Sequence, residues 1–421
     1  MASTGAAPET LALAVARERV LEAARPRPAE RVPLREARGR ALREDVIAPH
    51  DLPPFRNTSM DGMAIRSADT RVGRAGGNVV LRVVETIRAG QVASRPVGPG
   101  EAMRIMTGAP LPEGADAVAP IEDVVLDSDG GGPRASLGRP VEPGANVRAA
   151  GADLKAGERA LSRGREISPH DVALLAALGV AEVHVGPRPR VAALSTGDEL
   201  VPAWAPLRPG AIRDSNLPML VALLEESGAL VGEALRCGDD PGEVADAIVR
   251  LLEGADVVIT IGGVSAGDFD PVKQALDSVG GISLWRVAMK PGRPQAFGSP
   301  RGKLFFGLPG NPASVTCVFE ALVRPALRNL QGFSELDRPR LAVRVAEAME
   351  SRPGRTDFVR VSLDWREGEW WATPAGPQVS GHVAPQSRAH ALLVVPEERV
   401  AIERGESAQV LVLRWPSGAR S

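Results

Sequence analysis

Between residues 191 and 330 the sequence repeatedly places a short apolar run before a longer segment with helical character. The runs are Val191–Leu194, Leu230–Leu235, Val257–Ile261 and Lys303–Phe306, and the helices predicted after them span about Ser215–Ser227, Pro241–Leu252, Pro271–Val279 and Pro312–Leu330. This alternation predicts a parallel sheet with helices on both faces. In such sheets ligands bind at the carboxyl ends of the strands, so we expect function in the loops that follow these runs.

The segments on either side of this region are of a different kind. From Pro49 to about Gly151 the chain is rich in Gly and Pro, with short alternating runs such as Val79–Val84 that predict a small β-rich domain. Alternating runs return after Gly332, which predicts a C-terminal barrel or sandwich. The length of 421 residues suits a chain of several domains.

Composition excludes several classes of function. A net charge of −2, with acids interleaved among the basic residues, argues against binding to nucleic acid. The N-terminus lacks the basic and apolar regions of a signal peptide, and no apolar stretch is long enough to span a membrane. Cys237 and Cys317 are isolated, which fits neither a disulfide framework nor a zinc site. We therefore expect a cytoplasmic protein with no nucleic-acid or membrane partner.

The first candidate loop follows the run Val191–Leu194 and contains Ser195, Thr196, Gly197, Asp198 and Glu199. Hydroxyl groups, a glycine and paired acids at a strand end suit contact with a phosphate or a cation. A simple turn with acidic residues at a helix start explains this loop equally well.

The second candidate loop runs from Gly262 to Pro271. Its first glycines, Gly262 and Gly263, would let main-chain N–H groups approach an anion, although the spacing matches neither a Walker A nor a Rossmann motif. Asp268 and Asp270 would repel each other by roughly 4 kcal/mol at about 4 Å and an effective dielectric constant of about 20. A divalent cation, Mg²⁺ first, would offset that repulsion. The alternative is that Asp270 only caps the helix after it.

A third loop and a cationic segment complete this set. Gly307–Pro312 contains Asn311, which suits a helix N-cap as well as an anion site. The segment Trp285–Pro294 carries Arg286, Lys290 and Arg293, and its position after an apolar run predicts that it reaches the same sheet edge. Cations there would hold a substrate with several anionic groups.

Two loops of the N-terminal β-rich region are ambiguous when read alone. Asp61 and Gly62 form a common turn signal within the loop Pro53–Ala64, and Thr107 lies in the equally ambiguous segment Arg104–Pro110.

Taken together, these segments resemble the molybdopterin molybdenumtransferase family, of the MoeA and gephyrin E-domain type. The similarity extends over nearly the whole chain. The matching pieces are Pro53–Phe55, Ser59–Gly62, Met106–Pro110, Gly151–Asp153, Ser195–Leu200, Gly262–Ser265 through Lys273, Lys290–Pro294 and Gly307–Pro312.

The resemblance implies a multidomain α/β plus β fold. It implies an elongated, discontinuous N-terminal domain at 1–48 and 150–186, and an inserted β-rich domain at 49–149. It also implies a molybdopterin-binding α/β domain at 187–332 and a C-terminal β-barrel at 333–421. A homodimer is implied as well, in which the α/β domain of one chain meets the Asp61 and Thr107 loops of the other.

The resemblance also assigns candidate site residues. Catalytic roles fall on Asp61, Thr107, Asp153, Glu199, Asp239, Asp270 and Lys290. We expect the substrate to be bound by Ser195, Thr196, Gly197, Gly262, Gly263, Ser265, Arg286, Arg293, Pro309, Gly310 and Asn311. We expect Mg²⁺ to be bound by Asp198, Glu199, Asp268 and Asp270, and molybdate to lie near Ser265 and Arg286.

This chain departs from the family pattern at four positions. Arg286 stands where the family often has lysine, Met63 where it commonly has tyrosine, and Ser59 where it commonly has alanine. His390 replaces the usual asparagine in the segment expected to form the barrel.

The activity implied is insertion of molybdate into molybdopterin-AMP, with release of AMP, as the final step of molybdenum cofactor biosynthesis. Implied partners include a molybdopterin adenylyltransferase and proteins that mature molybdoenzymes. Three alternatives stay open: a molybdopterin adenylyltransferase, a non-enzymatic scaffold of the gephyrin type, and a variant that handles tungstate.

Overall fold

The computed structural model describes residues 10–71, 78–129, 132–264 and 271–416. The chain forms two compact units. The first comprises Met1–Glu44, Arg163–Ser168 and Glu182–Ser421, and the second comprises Asp45–Ser162 and Pro169–Ala181. The four domain boundaries expected from the sequence stay predictions.

A seven-stranded sheet forms the centre of the first unit. Its strands lie in the order Thr10–Leu11, Ile282–Val287, Pro294–Gly298, Leu304–Leu308, Val257–Ile261, Arg190–Thr196 and Leu230–Cys237. All are parallel except Pro294–Gly298, which is antiparallel to both of its neighbours. The predicted parallel-rich sheet is confirmed, and its one reversal arises because the chain turns back through Lys290–Arg293.

Helices cover both faces of this sheet, as predicted. Alternate residues of the strands enter different cores: Val191 and Phe306 pack on one face, whereas Ala192 and Phe305 pack on the other. The helices of this unit include Leu13–Ala23, Asn216–Glu226, Pro241–Gly254, Pro271–Val279, Pro312–Val318, Arg324–Gln331 and Ala384–Arg388.

The single helix predicted over Pro312–Leu330 is interrupted by a π-helical turn at Phe319–Val323. Pro325 has no N–H to donate to the carbonyl of Ala321 four residues earlier. That carbonyl instead accepts a hydrogen bond from Arg17 Nη1 at 3.3 Å. The interruption thus has a local cause, and the main-chain acceptor that it frees is satisfied from another helix.

The π turn places Glu320 in the core, where its side chain is fully buried. Its carboxylate pairs with Arg324 at 2.7 Å and with Arg338 at 3.0 Å. Arg338 also pairs with the half-exposed Glu226 at 2.6 Å. This cluster joins two helices to the segment that leads into the C-terminal domain.

Five strands close the C-terminal barrel: Arg340–Val345, Thr356–Arg366, Glu369–Pro374, Ala391–Val395 and Ser407–Val412. The predicted barrel is therefore confirmed. The short strand Met289–Lys290 pairs with Thr356–Asp357, which fixes the cationic turn of the α/β domain against the barrel. The remaining strands of the first unit form two-stranded ladders: Glu30–Pro33 with Glu182–Val185, Leu200–Val201 with Ile212–Arg213, and Met349–Glu350 with Ala401–Ile402.

The second unit is built on a six-stranded sheet with a hydrophobic core on each face. Its strands lie in the order Ala117–Pro120, Gly62–Ile65, Glu101–Ile105, Val79–Ile87, Gly132–Leu137 and Val124–Asp129. Two short ladders, Asn57–Thr58 with Val147–Arg148 and Val46–Ile47 with Arg159–Leu161, and the helices Ser67–Thr70 and Pro169–Ala177 complete it. In the described part of the chain no helix is long and apolar enough to cross a membrane.

We expect Glu320→Gln to lower the free energy of unfolding by about 3 kcal/mol, because it leaves two largely buried guanidinium groups without their buried counter-charge. Glu226→Gln is the matched control, since it removes a half-exposed carboxylate from the same two arginines. We expect the control to cost about 1 kcal/mol or less. Guanidinium chloride unfolding of both variants measures the difference, and equal midpoints would contradict a structural role for the buried pair.

Candidate active site

A cleft of about 840 Å³ opens at the carboxyl edge of the seven-stranded sheet. It brings together most of the candidate site residues that the sequence placed in the three strand-end loops. Those that line it are Ser195, Thr196, Gly197, Glu199, Gly262, Gly263, Gly310 and Asn311. Asp239, which was expected from the family resemblance, lines it as well.

Close main-chain approach shapes the floor of this cleft. Gly262 has a φ of +99°, and a Cβ added there would lie 2.9 Å from both the carbonyl oxygen and Oγ1 of Thr196. The N–H of Gly262 donates to the carbonyl of Leu308 at 2.9 Å. Only glycine fits this position, so the strand-end loops converge here without intervening side chains.

Two aspartates of the cleft region hold each other in place. The N–H of Asp198 donates to Asp239 Oδ2 at 3.2 Å, and the N–H of Asp239 donates to Asp198 Oδ1 at 3.1 Å. Each carboxylate thus keeps a second oxygen outside this reciprocal pair. The carboxylate of Glu199 lies over Gly197, where an added Cβ would come within 2.5 Å of Oε2.

These carboxylates have the chemistry of a hard-cation site, since Mg²⁺ prefers oxygen ligands. Over the residues for which the structure gives positions, no group of three or more His, Cys, Asp or Glu side chains is arranged to hold a metal. Three of the expected residues, Ser265, Asp268 and Asp270, lie outside the described residues.

The segment Asp214–Asn216 also lines the cleft, although the sequence analysis did not include it among the candidate site residues. The buried Asp214 carboxylate pairs with Arg236 at 3.2 Å and accepts from the N–H groups of Asn216 and Leu217. Asn216 Nδ2 donates to the carbonyl of Gly310 at 2.6 Å. The sequence feature that could have predicted this segment is Asp-Ser-Asn, which stands before a helix that starts at the same sheet edge.

Two polar atoms of the cleft residues are buried without a partner in the described structure: Ser195 Oγ and Asn216 Oδ1. Buried polar groups in proteins are nearly always satisfied. A ligand in the cleft would supply the missing contacts, so these atoms mark positions at which substrate is expected.

In a second cleft of about 660 Å³, five cations outnumber two acids, Glu350 and Asp357, among the lining residues. Lys290 and Arg293 come from the turn of the α/β domain, and Arg352, Arg355 and Arg360 come from the barrel side. Arg355 pairs with Asp357 at 2.7 Å. Among the described residues, neither Lys290 nor Arg293 forms an ion pair.

Asn311 lines both clefts, so the two adjoin at the start of helix Pro312–Val318. The turn that carries Lys290 is fixed by Gly292, whose φ is +107° and where an added Cβ would lie 2.5 Å from Val318 Cγ2. The buried Gln295 Nε2 donates to the carbonyl of Gly292 at 2.7 Å.

Three expected residues of the α/β domain are not among those that line these clefts. Arg286 is half-buried on the strand Ile282–Val287, Pro309 is buried, and Asp198 is exposed and hydrogen-bonded to Asp239.

In the second unit, Asp61 and Thr107 form a tight pair. Asp61 Oδ1 accepts from Thr107 Oγ1 at 2.6 Å and from the Thr107 N–H at 2.7 Å. These two hydrogen bonds, helped by the charge of Arg104, lower the pKa of Asp61 below its ordinary value. Asp61 is therefore an exposed, firmly ionised carboxylate. Asp153 lies in an exposed loop of the same unit, with its N–H bonded to the carbonyl of Leu52.

Comparison with known proteins identifies the family to which this chain is similar. Residues 11–179 match the MoeA N-terminal region (domain I and II), residues 192–329 match a probable molybdopterin binding domain, and residues 342–413 match the MoeA C-terminal region (domain IV). Molybdopterin molybdenumtransferase 2 of Mycobacterium tuberculosis H37Rv is 39% identical over 385 residues, which are 90% of this chain and 94% of the relative.

The chain belongs to the molybdopterin molybdenumtransferase family. A second member, from Haemophilus influenzae, is 36% identical over 95% of this chain and 98% of its own length. The crystal structure of the molybdopterin biosynthesis MoeA protein from Pyrococcus horikoshii OT3 is similar with a TM-score of 0.82 at 29% identity, and covers 96% of this chain and 100% of its own.

In this member of the molybdopterin molybdenumtransferase family, the cysteine beside the cleft is not a nucleophile. The carbonyl of Cys237 accepts from the N–H of Gly197, which places the residue next to the first loop. Burial, with the nearby charges of Glu243 and Asp239, raises the pKa of the Cys237 thiol to about 11. At neutral pH the thiol is protonated, so covalent thiolate chemistry is not expected here.

Thr107→Val is expected to raise the pKa of Asp61, because it removes the hydroxyl hydrogen bond that favours the ionised carboxylate. Thr107→Ser keeps the hydroxyl and should leave that pKa near its wild-type value. A carboxyl ¹³C NMR titration between pH 2 and 6 measures both. Because the folded-state pKa of Asp61 is lowered, its contribution to stability is present above the unfolded pKa and is lost as the pH falls. An unchanged pKa in Thr107→Val would show that the main-chain hydrogen bond suffices.

Proposed function

We propose that this protein inserts molybdate into adenylylated molybdopterin and releases AMP, as the final step of molybdenum cofactor biosynthesis. The observation that carries the proposal is the pair of adjoining clefts that share Asn311. One cleft combines glycine-bounded loops with carboxylates, and the other is lined by cations. A reaction between a pterin nucleotide and an oxyanion requires both environments side by side.

The larger cleft suits the nucleotide part of the substrate. Gly262 and Gly263 line it with main chain alone, where a phosphate could approach closely, although the N–H of Gly262 is already bonded to the carbonyl of Leu308. Ser195 Oγ and Asn216 Oδ1 are unsatisfied polar atoms beside it. These groups would bind and orient the substrate, which converts a bimolecular reaction into one between fixed partners.

The cation-lined cleft suits molybdate. Lys290, Arg293 and Arg352 present positive charge from two domains toward one space, and guanidinium groups bind tetrahedral oxyanions through paired N–H donors. We therefore propose this cleft for molybdate in place of the position near Ser265 and Arg286. Tungstate, which is nearly isosteric, is expected to compete for the same site.

Glu199, Asp198 and Asp239 would hold Mg²⁺, with Asp268 and Asp270 retained from the sequence as further ligands. The free carboxylate oxygens of the reciprocal aspartate pair fit such an ion. When bound, Mg²⁺ supplies polarisation of a phosphate and neutralises developing charge. The residues themselves would hold that ion beside the phosphates of the substrate.

We also propose a cytoplasmic homodimer in which the Asp61 and Thr107 loops of one chain complete the cleft of the other. The family resemblance supports the dimer, and the free thiols of Cys237 and Cys317 suit a reducing compartment. An exposed carboxylate that stays ionised, as Asp61 does, suits contact with a cation or a donor group across an interface. A molybdopterin adenylyltransferase would supply the substrate, and proteins that mature molybdoenzymes would accept the product.

The decisive experiment mixes purified protein with molybdopterin-AMP and Mg²⁺ and follows AMP release with and without molybdate. We expect release to require molybdate and to stop when EDTA removes the divalent cation. Release that ignores molybdate would contradict insertion, and transfer of AMP from ATP onto bare molybdopterin would identify an adenylyltransferase instead.

Glu199→Gln tests the carboxylate side of the cleft. We expect AMP release to fall by about 100-fold, because a ligand of the ion that would polarise the reacting phosphate is lost, while the melting temperature is unchanged. The matched control is Glu233→Gln, which removes an exposed acid of the same domain paired with Arg250. Equal activity of the two variants would remove Glu199 from the proposed mechanism.

A further inference from the structure

His390 lies at the point where two strands of the C-terminal barrel separate. The pairing between Thr356–Arg366 and Ala391–Val395 extends as far as Val361 on the first strand. There the N–H of His390 donates to the carbonyl of Val361 at 2.8 Å. Beyond it, the N–H of Leu363 donates to the ring nitrogen Nδ1 of His390 at 3.0 Å. The imidazole ring therefore prolongs the contact between the two strands by one hydrogen bond.

The main chain of His390 is bonded to a third strand as well. Its carbonyl accepts from the N–H groups of Leu413 and Arg414 at 2.9 and 3.0 Å, directly after the strand Ser407–Val412. Because main-chain contacts on both sides fix the residue, its ring is presented to Leu363 in one place. His390 thus joins three strands of the barrel at a single point.

The contact with Leu363 determines the protonation state of the ring. A main-chain N–H can only donate, so Nδ1 must keep its lone pair and the imidazole is neutral, with its proton on Nε2. An imidazolium carries N–H groups at both nitrogens and cannot accept this hydrogen bond. Leu363 is 1% exposed, so protonation of His390 would leave a buried N–H without an acceptor, which is costly.

The surroundings favour the neutral ring at physiological pH. Burial lowers the pKa of His390, and the charge of Arg414 lowers it further, whereas Asp364 opposes them. Arg414 is held near the ring because its Nε donates to the carbonyl of Ala389 at 3.2 Å. Asp364 pairs with Arg366 at 2.9 Å. Since the folded-state pKa lies below the ordinary value of about 6.5, this contribution to stability is present above that pH and is lost below it.

The strand Thr356–Arg366 also borders the cation-lined cleft. Arg360 lies on this strand and lines the cleft, and Asp357 of the same strand pairs with Lys290 of the α/β domain. Arg360 and Leu363 belong to one continuous strand. Loss of the hydrogen bond at Leu363 would therefore loosen the main chain that carries Arg360.

We propose that His390 is a positioning residue that makes this barrel strand, and through it the cation-lined cleft, sensitive to protons. The effect on catalysis rests on the proposed function, whereas the hydrogen bond to Leu363 does not. The neutral ring holds the strand in place, and the protonated ring releases it. Asparagine at the same position would offer Oδ1 as an acceptor at any pH, so His390→Asn should keep the strand in place and remove the sensitivity.

Amide hydrogen exchange at Leu363, followed by NMR and corrected for the intrinsic rate at each pH, tests the hydrogen bond directly. We expect protection in the wild type to fall by about 10-fold from pH 7.5 to pH 5, the equivalent of one lost hydrogen bond. His390→Asn should stay protected throughout, and His390→Leu should be unprotected throughout. His184→Asn is the matched control, since it removes an exposed imidazole paired with Glu44, and it should behave as the wild type does.

Two results would overturn the role of the ring. The first is protection in the wild type that does not change with pH. The second is a fall in His390→Asn as large as that in the wild type, which would assign the titration to another group. Thermal unfolding at pH 7.5 establishes that each variant is folded before exchange is measured.

The pH profile of AMP release tests the link to the cleft. We expect the rate to fall on the acid side in the wild type and in His184→Asn, and to fall less in His390→Asn. Identical acid limbs in all three proteins would overturn this link. Protein that releases no AMP, but shows the expected exchange at Leu363, loses the proposed function and keeps the hydrogen bond that senses protons. Protein that releases AMP, but exchanges Leu363 independently of pH, keeps the function and loses the positioning role.

Discussion

The main-chain contact between Gly262 and Thr196 is the constraint on which the larger cleft depends. Two parallel strands can end beside each other and still keep their loops apart, because side chains usually fill the space between them. Here a glycine with positive φ removes that barrier and lets the loops meet. Glu199, Gly262 and Asn311 then line one cleft from three separate strand ends, although they are far apart in sequence.

Separation of charge follows from the same architecture. In the larger cleft the acids Glu199, Asp214 and Asp239 outnumber the one lining cation, Arg213. In the second cleft Lys290, Arg293 and the barrel arginines outnumber the acids Glu350 and Asp357. The one antiparallel strand, Pro294–Gly298, is what makes this possible. Its hairpin turns at the carboxyl edge and carries Lys290 to the barrel, so that cations collect beside the acidic cleft without pairing with its carboxylates.

Sequence predicted well those features that depend on neighbouring residues. The strand Val257–Ile261 and the helix Pro271–Val279 matched because apolar runs and prolines mark them locally. The interruption at Phe319–Val323 has a local signal in Pro325, which the helix prediction passed over. The contact that satisfies the freed carbonyl of Ala321 comes from Arg17, some 300 residues away. Asp214 resembled an ordinary helix start, and nothing local in Arg352 or Arg355 shows that a barrel residue faces a turn of the α/β domain. Contacts between residues that are far apart in the chain cannot be predicted from local sequence patterns.

The barrel is therefore part of the candidate site rather than an appendage to it. Its strand Thr356–Arg366 pairs with Met289–Lys290 at one end of the cation-lined cleft, and Arg360 on the same strand lines that cleft as well. One strand thus borders the proposed binding place of the oxyanion. A shift of that strand would change this cleft, so the buried contacts of Glu320 with Arg324 and Arg338, beside the segment that leads into the barrel, also stabilise the site.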